Sequence, residues 1–250
     1  MSGEREQIEG KNPVREALRA GVKLDRLVLA KGSERSLQEI VELASAAGIP
    51  VEWKDREWLD KRSRTRAHQG VMGWREPVEY AELPDLLENA WESARTPLLV
   101  ILDGIQDPHN LGSVLRTAEA VGAHGIVIPK RRAVGLTATV AKVSAGALEY
   151  VPVARVTNLS QAIEAVKEAG LWVVGADMDG EMLHFEADLT GPLALVVGSE
   201  GKGLARLTKE KCDLTVRLPM YGKINSLNAA VAAAVMLYEV VRQRARREKT

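Results

Sequence analysis

From residue 98 to residue 246 the chain alternates between short apolar runs and stretches of helical period. Leu98 to Leu102 reads Leu-Leu-Val-Ile-Leu with no polar break, the pattern of a strand buried on both faces. Leu111, Val114, Leu115 and Ala118 follow at the spacing of one helix face. Strands are predicted at 98–102, 125–128, 150–155, 171–175, 193–197 and 213–217, and helices at 111–121, 137–144, 159–169, 203–208 and 227–246. Such alternation predicts an α/β fold with a largely parallel sheet covered on both faces.

Upstream the pattern is shorter and mixed. Pro13 opens a helix to Arg19, Leu24 to Ala30 reads as a strand, Leu37 to Ala47 as a helix closed by Gly48, and 49–53 and 70–74 as strands. Between 76 and 97 six acidic residues stand against one basic residue, with Pro77, Pro84 and Pro97, so a linker carrying a short helix is expected there. The expected layout is a small α/β domain over 1–75, the linker over 76–97 and the parallel-sheet domain over 98–250.

With 250 residues, 46% of them hydrophobic, the chain can supply a core to each domain. The formal net charge is +0, so attraction to a polyanion must come from local patches. Lys61, Arg62, Arg64 and Arg66 form one, Lys130 to Arg132 another, and Arg242, Arg244, Arg246, Arg247 and Lys249 a third. A single cysteine, Cys212, excludes an intramolecular disulfide, and with four scattered histidines no metal site is expected. The first ten residues have no apolar core, and Ala229 to Tyr238 is too short to span a bilayer, so a cytoplasmic protein without a membrane segment is expected.

Three polar clusters leave predicted strands and run into helices, where ligands gather in open α/β sheets. The first, DGIQDPHNLG from Asp103 to Gly112, offers turn and N-cap chemistry up to Asn110, with Arg116 less than two turns further on. By itself it is equally well explained as an Asn-capped helix with a solvated arginine. In the second, VVGSEGKGL from Val196 to Leu204, two residues separate Gly198 from Gly201 where a Walker loop needs four, and Gly203 stands in place of Ser/Thr. No Gly-x-Gly-x-x-Gly follows the first strand of the domain, which argues against dinucleotide binding. What remains is a loop that lets backbone approach a ligand, with Glu200 at its tip. The third, LPMYGKINSLNAA from Leu218 to Ala230, places Ser226 and Asn228 near a helix start. Ser226 fits a cap, but capping does not account for Asn225, Ser226 and Asn228 together. All three clusters fall at C-terminal strand ends of one sheet, placed to converge on one pocket.

Taken together, DPHNLGSVLRTAEAVGAHGIVIP, LVVGSEGKGL and LPMYGKINSLNAAVAAAVMLYEVVRQR resemble, in order and spacing, the three motifs of the SpoU (TrmH-like) RNA ribose 2'-O-methyltransferases, over residues 98–246. IEGKNPVREAL, with HQGVMGW at 68–74, is similar to the small ribosomal-protein-like substrate-binding domain that precedes the catalytic domain in many members. The resemblance implies a SPOUT domain with a deep trefoil knot, which alternating elements alone do not suggest, since knots are rare. It implies S-adenosylmethionine held around Gly198, Ser199, Leu218, Met220 and Leu227, and Asn110, Arg116, Glu200, Ser226 and Asn228 around the reacting ribose. A guanidinium is never deprotonated, so Arg116 is read as holding phosphate and ribose and offsetting developing negative charge, with the proton acceptor unassigned.

The two-domain layout most resembles members that methylate a guanosine in the peptidyl-transferase loop of 23S ribosomal RNA. A transfer-RNA ribose methyltransferase, or a ribosome-targeted resistance methyltransferase, shares the same residues. A non-catalytic RNA-binding assembly factor is disfavoured by their joint presence. Arg62, Arg64, Arg66 and His68 are the expected RNA contacts; with 4% aromatic residues, recognition should lean on phosphate charge and RNA shape. The apolar last helix is expected to pack on its own domain or, as the resemblance implies, in a homodimer.

Overall fold

The computed structural model describes residues 5–64, 66–75, 78–223 and 226–247. Along the chain run β1 (Glu6–Glu9), α1 (Lys11–Arg19), β2 (Leu24–Ala30), α2 (Glu34–Ala46), β3 (Val51–Lys54), α3 (Arg56–Arg62) and β4 (Val71–Arg75). Next come α4 (Leu83–Glu92), β5 (Leu98–Asp103), α5 (Pro108–Ala120), β6 (Gly125–Pro129), α6 (Ala138–Val143) and a 3-10 turn at Ala147–Glu149. The rest comprises β7 (Val153–Val156), α7 (Leu159–Glu168), β8 (Trp172–Ala176), β9 (Met182–Leu183), β10 (Leu193–Gly198), α8 (Arg206–Lys211), β11 (Leu214–Arg217) and α9 (Ala229–Arg247). The chain divides into two units: Met1–Glu79 with Leu136–Tyr150, and Tyr80–Gly135 with Val151–Thr250.

In the first unit the strands lie in the order β1-β4-β2-β3, with β4 antiparallel to β1 and β2, and β2 parallel to β3. Val14, Leu18, Leu37 and Ile40 from α1 and α2 close over Leu27 and Leu29 of β2. Residues 136–150, expected within the parallel-sheet domain, group with this unit instead. There α6 packs on β1 and the 3-10 turn on α1, and a buried ion pair joins them, with Arg75 donating to Glu6 (3.0 Å) and to Glu149 (2.6 Å). Burial lifts the Glu149 carboxyl above the usual range, and Arg75 offsets this only in part.

The second unit is built on a seven-stranded sheet, β7-β6-β5-β10-β8-β11-β9, whose neighbours are all parallel. β10 pairs with β5 and β8, and all six of its residues are buried, as a strand covered on both faces requires. Leu99, Ile101, Ala194 and Val196 pack with Leu86 and Leu87 of α4 and Ile163 and Val166 of α7. The acidic window expected to be a linker therefore contributes a core helix: Glu82, Asp85, Glu88 and Glu92 are exposed, while Leu86, Leu87 and Ala90 point inward. Pro77 lies outside the described residues. Along β5 and β10 alternate residues face the other way, the side on which α9 packs against α5, β10 and β8.

Several helix starts differ from expectation. α5 begins at Pro108, because Asp107 accepts from the His109 N–H (2.8 Å) and is the cap; Asn110 lies inside the first turn. α9 begins at Ala229, because Asn228 Oδ1 accepts from Ala230 N (3.0 Å) and Val231 N (3.3 Å), so Ser226 is not the cap. α8 starts three residues later than expected because residues 199–203 form a tight turn, with Gly203 at φ +64. β1, α3 and the two-residue β9 were not foreseen; each is too short for periodicity to mark. No described helix is long and apolar enough to cross a membrane.

Candidate active site

The C-terminal ends of β8, β10 and β11 open on a cleft. Its walls are Ala176 to Met178 at the end of β8, Val197 to Gly201 and Gly203 at the end of β10 and just beyond it, Val216, Leu218 and Met220 at the end of β11 and just beyond it, and Ser226, Leu227, Ala229 and Ala232 around the start of α9. Every residue expected around the cofactor, Gly198, Ser199, Leu218, Met220 and Leu227, lines this one cavity, together with Glu200 and Ser226. Glu200 is exposed at the mouth and Ser226 is half-buried. Asn225 lies outside the described residues.

The glycine loop has a definite shape. Ser199 N donates to Gly203 O (3.1 Å) and Gly203 N donates to Ser199 O (3.0 Å), closing a turn in which Gly201 and Gly203 both take positive φ. A Cβ on Gly198 would sit 2.2 Å from the Gly203 carbonyl carbon, so only glycine fits at the end of β10.

Two carboxylates overlooked in the sequence hold this loop in place. Asp103, at the end of β5, accepts from Ala205 N (2.8 Å), at the start of α8. Asp177, in the cleft wall, accepts from Lys209 Nζ (2.7 Å), Asp179 N (3.0 Å) and, more loosely, Leu204 N (3.4 Å). Burial pushes the Asp177 carboxyl up, but the Lys209 ammonium and the two N–H groups outweigh it and hold it below the usual aspartate range. The available signal was position: each of these aspartates lies at the end of an apolar strand or directly after one. Cys212 offers no nucleophile, because burial, reinforced by Asp213, pushes its thiol up to about 12.

Asn110 and Asn228, 118 residues apart, meet beside the cleft: Asn228 Nδ2 donates to Asn110 Oδ1 (2.8 Å). Asn110 is 8% exposed. Arg116 stands exposed on α5 and is not among the cleft-lining residues. The expected ribose-side groups therefore divide into Glu200 and Ser226 in the cleft, the asparagine pair at its edge, and Arg116 outside it.

In the first unit, Arg62 lies over the Trp58 ring at 4.1 Å, and Arg62, Arg64 and Arg66 line the basic stretch around the end of α3. His68, expected to contact RNA, is corrected by the structure: it is 3% exposed, its Nε2 is bonded to Asp60 (2.8 Å), and its Nδ1 accepts from Gly70 N (3.0 Å). With both ring nitrogens engaged, it shapes the turn into β4. A concavity the sequence did not reveal lies in the same unit, lined by Lys11, Ser33, Ser36, Arg56 and Gln69.

Residues 97–238 match the SpoU rRNA Methylase family, and residues 7–81 match the family described as RNA 2'-O ribose methyltransferase substrate binding. A Bacillus subtilis protein named for the TrmH tRNA/rRNA methyltransferase family is 52% identical over 98% of this chain and 98% of its own length. The structure of the AdoMet-bound rRNA methyltransferase from Sinorhizobium meliloti superposes with a TM-score of 0.79 at 27% identity, covering 95% of this chain and 87% of that one. The A. aeolicus TrmH/SpoU tRNA modifying enzyme superposes with a TM-score of 0.56 at 30% identity, over 66% of this chain and 84% of its own.

Proposed function

The chain belongs to the SpoU rRNA methylase family, and from that membership we propose that it transfers a methyl group from S-adenosylmethionine to a ribose 2'-hydroxyl of ribosomal RNA, with a guanosine in the peptidyl-transferase loop of 23S ribosomal RNA as target. The observation that carries this reading is the cleft itself, where Gly198, Leu218, Met220 and Leu227 converge from the ends of β10 and β11 and the start of α9. Bare backbone beside apolar side chains in a concave cleft suits an adenosine. When bound, S-adenosylmethionine supplies a methyl group on a positively charged sulfur, so the protein needs no electrophile of its own.

The chain's own residues then have two tasks, to hold the 2'-oxygen in line and to accommodate its charge as the proton leaves. Arg116 is the permanent cation for that charge or for the neighbouring phosphate, and Glu200, Ser226 and Asn110 are the polar groups for the ribose. Lys11, Arg56, Arg62, Arg64 and Arg66 give the first unit a cationic surface for RNA phosphates. Ribosomal RNA is favoured over transfer RNA because the rRNA methyltransferase aligns through both units, whereas the tRNA modifying enzyme covers only 66% of this chain.

A homodimer belongs to the same reading. Val231, Val235 and Tyr238 are 48%, 40% and 55% exposed and form one stripe of α9, opposite the face that Ala233, Leu237 and Val240 bury in their own unit. The deep trefoil knot that the family resemblance implies is part of the same proposal. Cytoplasmic action follows from a ribosomal substrate. The deciding experiment incubates the protein with unmodified ribosomal RNA, transfer RNA and methyl-tritiated S-adenosylmethionine, then maps the modified nucleotide. Label at one 23S ribose is expected. Label in transfer RNA alone would overturn the target, and label in neither would overturn the activity.

A further inference from the structure

Asn228 and Asn110 are joined by a hydrogen bond whose direction is fixed by the backbone. Asn228 Oδ1 accepts the N–H groups of Ala230 and Val231, so this atom must be the carbonyl oxygen and the other must be the amide nitrogen. That nitrogen donates to Asn110, so the Asn110 atom facing it must be the oxygen. The remaining Asn110 group is therefore its amide nitrogen, which has no hydrogen-bond partner among the described residues. Asn110 sits in the first turn of α5, at the C-terminal end of β5, on the side of the sheet where the cleft opens.

We infer that Asn228 is a positioning residue, which uses the N-terminus of α9 as a reference to lock the Asn110 amide with its N–H groups presented as donors to an oxygen of the RNA substrate, either the ribose 2'-oxygen or its adjoining phosphate. This rests on the proposed methyl transfer and deepens it. A donor aimed at that oxygen favours the charge that develops as the proton leaves, and an amide turned the other way would oppose it with its own carbonyl. Asn228 itself touches no substrate. The pair couples the first and third sequence clusters, so the donor is in place only when α9 is correctly docked against α5.

Three substitutions separate this from a structural role. Asn228→Asp keeps the cap, since a carboxylate accepts the same N–H groups and suits a helix N-terminus, but it has no hydrogen to give and turns the Asn110 amide around. Asn110→Asp keeps the bond to Asn228 and removes the donor. Asn228→Ser keeps a cap oxygen but is too short to reach Asn110, leaving that amide free to take either orientation.

Single-turnover methyl transfer should fall by about 10- to 100-fold in Asn228→Asp and Asn110→Asp. In Asn228→Ser it should fall only about twofold, because half of a free amide population is correctly turned. S-adenosylmethionine affinity should be unchanged in all three. Equal losses in Asn228→Ser and Asn228→Asp, or full turnover in Asn228→Asp, would overturn the lock. Side-chain amide exchange with 15N-asparagine provides a readout independent of activity. The Asn228 amide protons should be protected in the parent protein, and the Asn110 amide protons should become protected in Asn228→Asp. No such transfer of protection would overturn the inference. A parent protein that methylates no RNA would instead defeat the functional reading, with the exchange result still deciding the lock.

Discussion

In the cleft of the parallel-sheet unit the groups that shape the glycine loop are held by neighbours: Gly198 is pressed against Gly203, Asp103 grips Ala205, and Asp177 grips Lys209. The basic face of the first unit is built differently: Arg62, Arg64 and Arg66 are exposed side chains at the end of α3 and on the chain after it, with Arg62 resting on the Trp58 ring. A binding group locked in place loses little entropy when a ligand arrives and tolerates almost no change, whereas an exposed arginine contributes a modest, salt-screened attraction. The contrast teaches that one unit is shaped for a particular small molecule and the other for a charged surface.

The largest effect is expected from Gly198→Ala. Its new Cβ would fall 2.2 Å from backbone, so the loop must open. Such overpacking costs about 1–3 kcal/mol of stability. Calorimetric titration should find S-adenosylmethionine binding abolished, and thermal unfolding should show a lower Tm. Gly201→Ala is the control, since nothing lies within 4 Å of its Cβ; only the strain of φ +75 applies, and binding should survive. Equal binding losses in both would mean that the loop responds to flexibility and not to shape.

Arg116→Ala comes next. Methyl transfer should fall by about 100- to 1000-fold, the scale of losing a group that stabilises transition-state charge. Cofactor affinity should hold, because Arg116 is not among the cleft residues. Near-normal turnover would remove Arg116 from the mechanism and place the whole burden on the cleft.

On the basic face, Arg62→Glu with Arg64→Glu should weaken RNA binding by about tenfold at about 0.1 M salt and flatten its salt dependence by about 0.7 to 0.9 for each phosphate that is no longer neutralised. Filter binding across a salt series measures both. Unchanged affinity at low salt would shift RNA recognition to the concavity of Lys11 and Arg56.

How much of this was legible in the sequence varies with the physics of each feature. The parallel sheet was legible because runs such as Leu98 to Leu102 need no partner to announce burial on two faces. Gly198, Leu218 and Leu227 were legible as motif positions, and the cleft unites them. Asp103 and Asp177 were not, because a carboxylate at a strand end looks like any turn residue until its N–H and ammonium partners arrive from α8 and the residues leading into it, 102 positions on for Asp103 and 32 for Asp177. His68 misled because it sits beside a basic run, and only the fold shows its ring turned inward onto Asp60 and Gly70. The caps misled for a related reason: Asn110 and Ser226 are good cap residues, but Asp107 and Asn228 hold the N–H groups.

The smallest expected effect tests whether the locked carboxylate matters through its charge. Asp177 titrates below its ordinary value in the folded protein, so the stability it contributes is fully present above the unfolded value, about 3.9, and is lost as pH falls through the lower folded value. At pH 7, Asp177→Asn should therefore be less stable by about 1 kcal/mol, since Lys209 loses its ion pair and Leu204 N a charged acceptor. Urea unfolding from pH 7 downward should show the gap between the two proteins narrowing as pH falls below about 4, where the unfolded parent chain takes up a proton that the folded carboxylate still refuses. No gap at pH 7 would mean that Asp177 supports the glycine loop by shape alone, since asparagine has the same shape. A gap that closes would make its charge the tie between α8 and the loop, and Asp177→Asn should then also weaken S-adenosylmethionine binding at pH 7, because a Cβ at Gly203 would stand only 3.1 Å from that carboxylate, so loop and carboxylate are packed together.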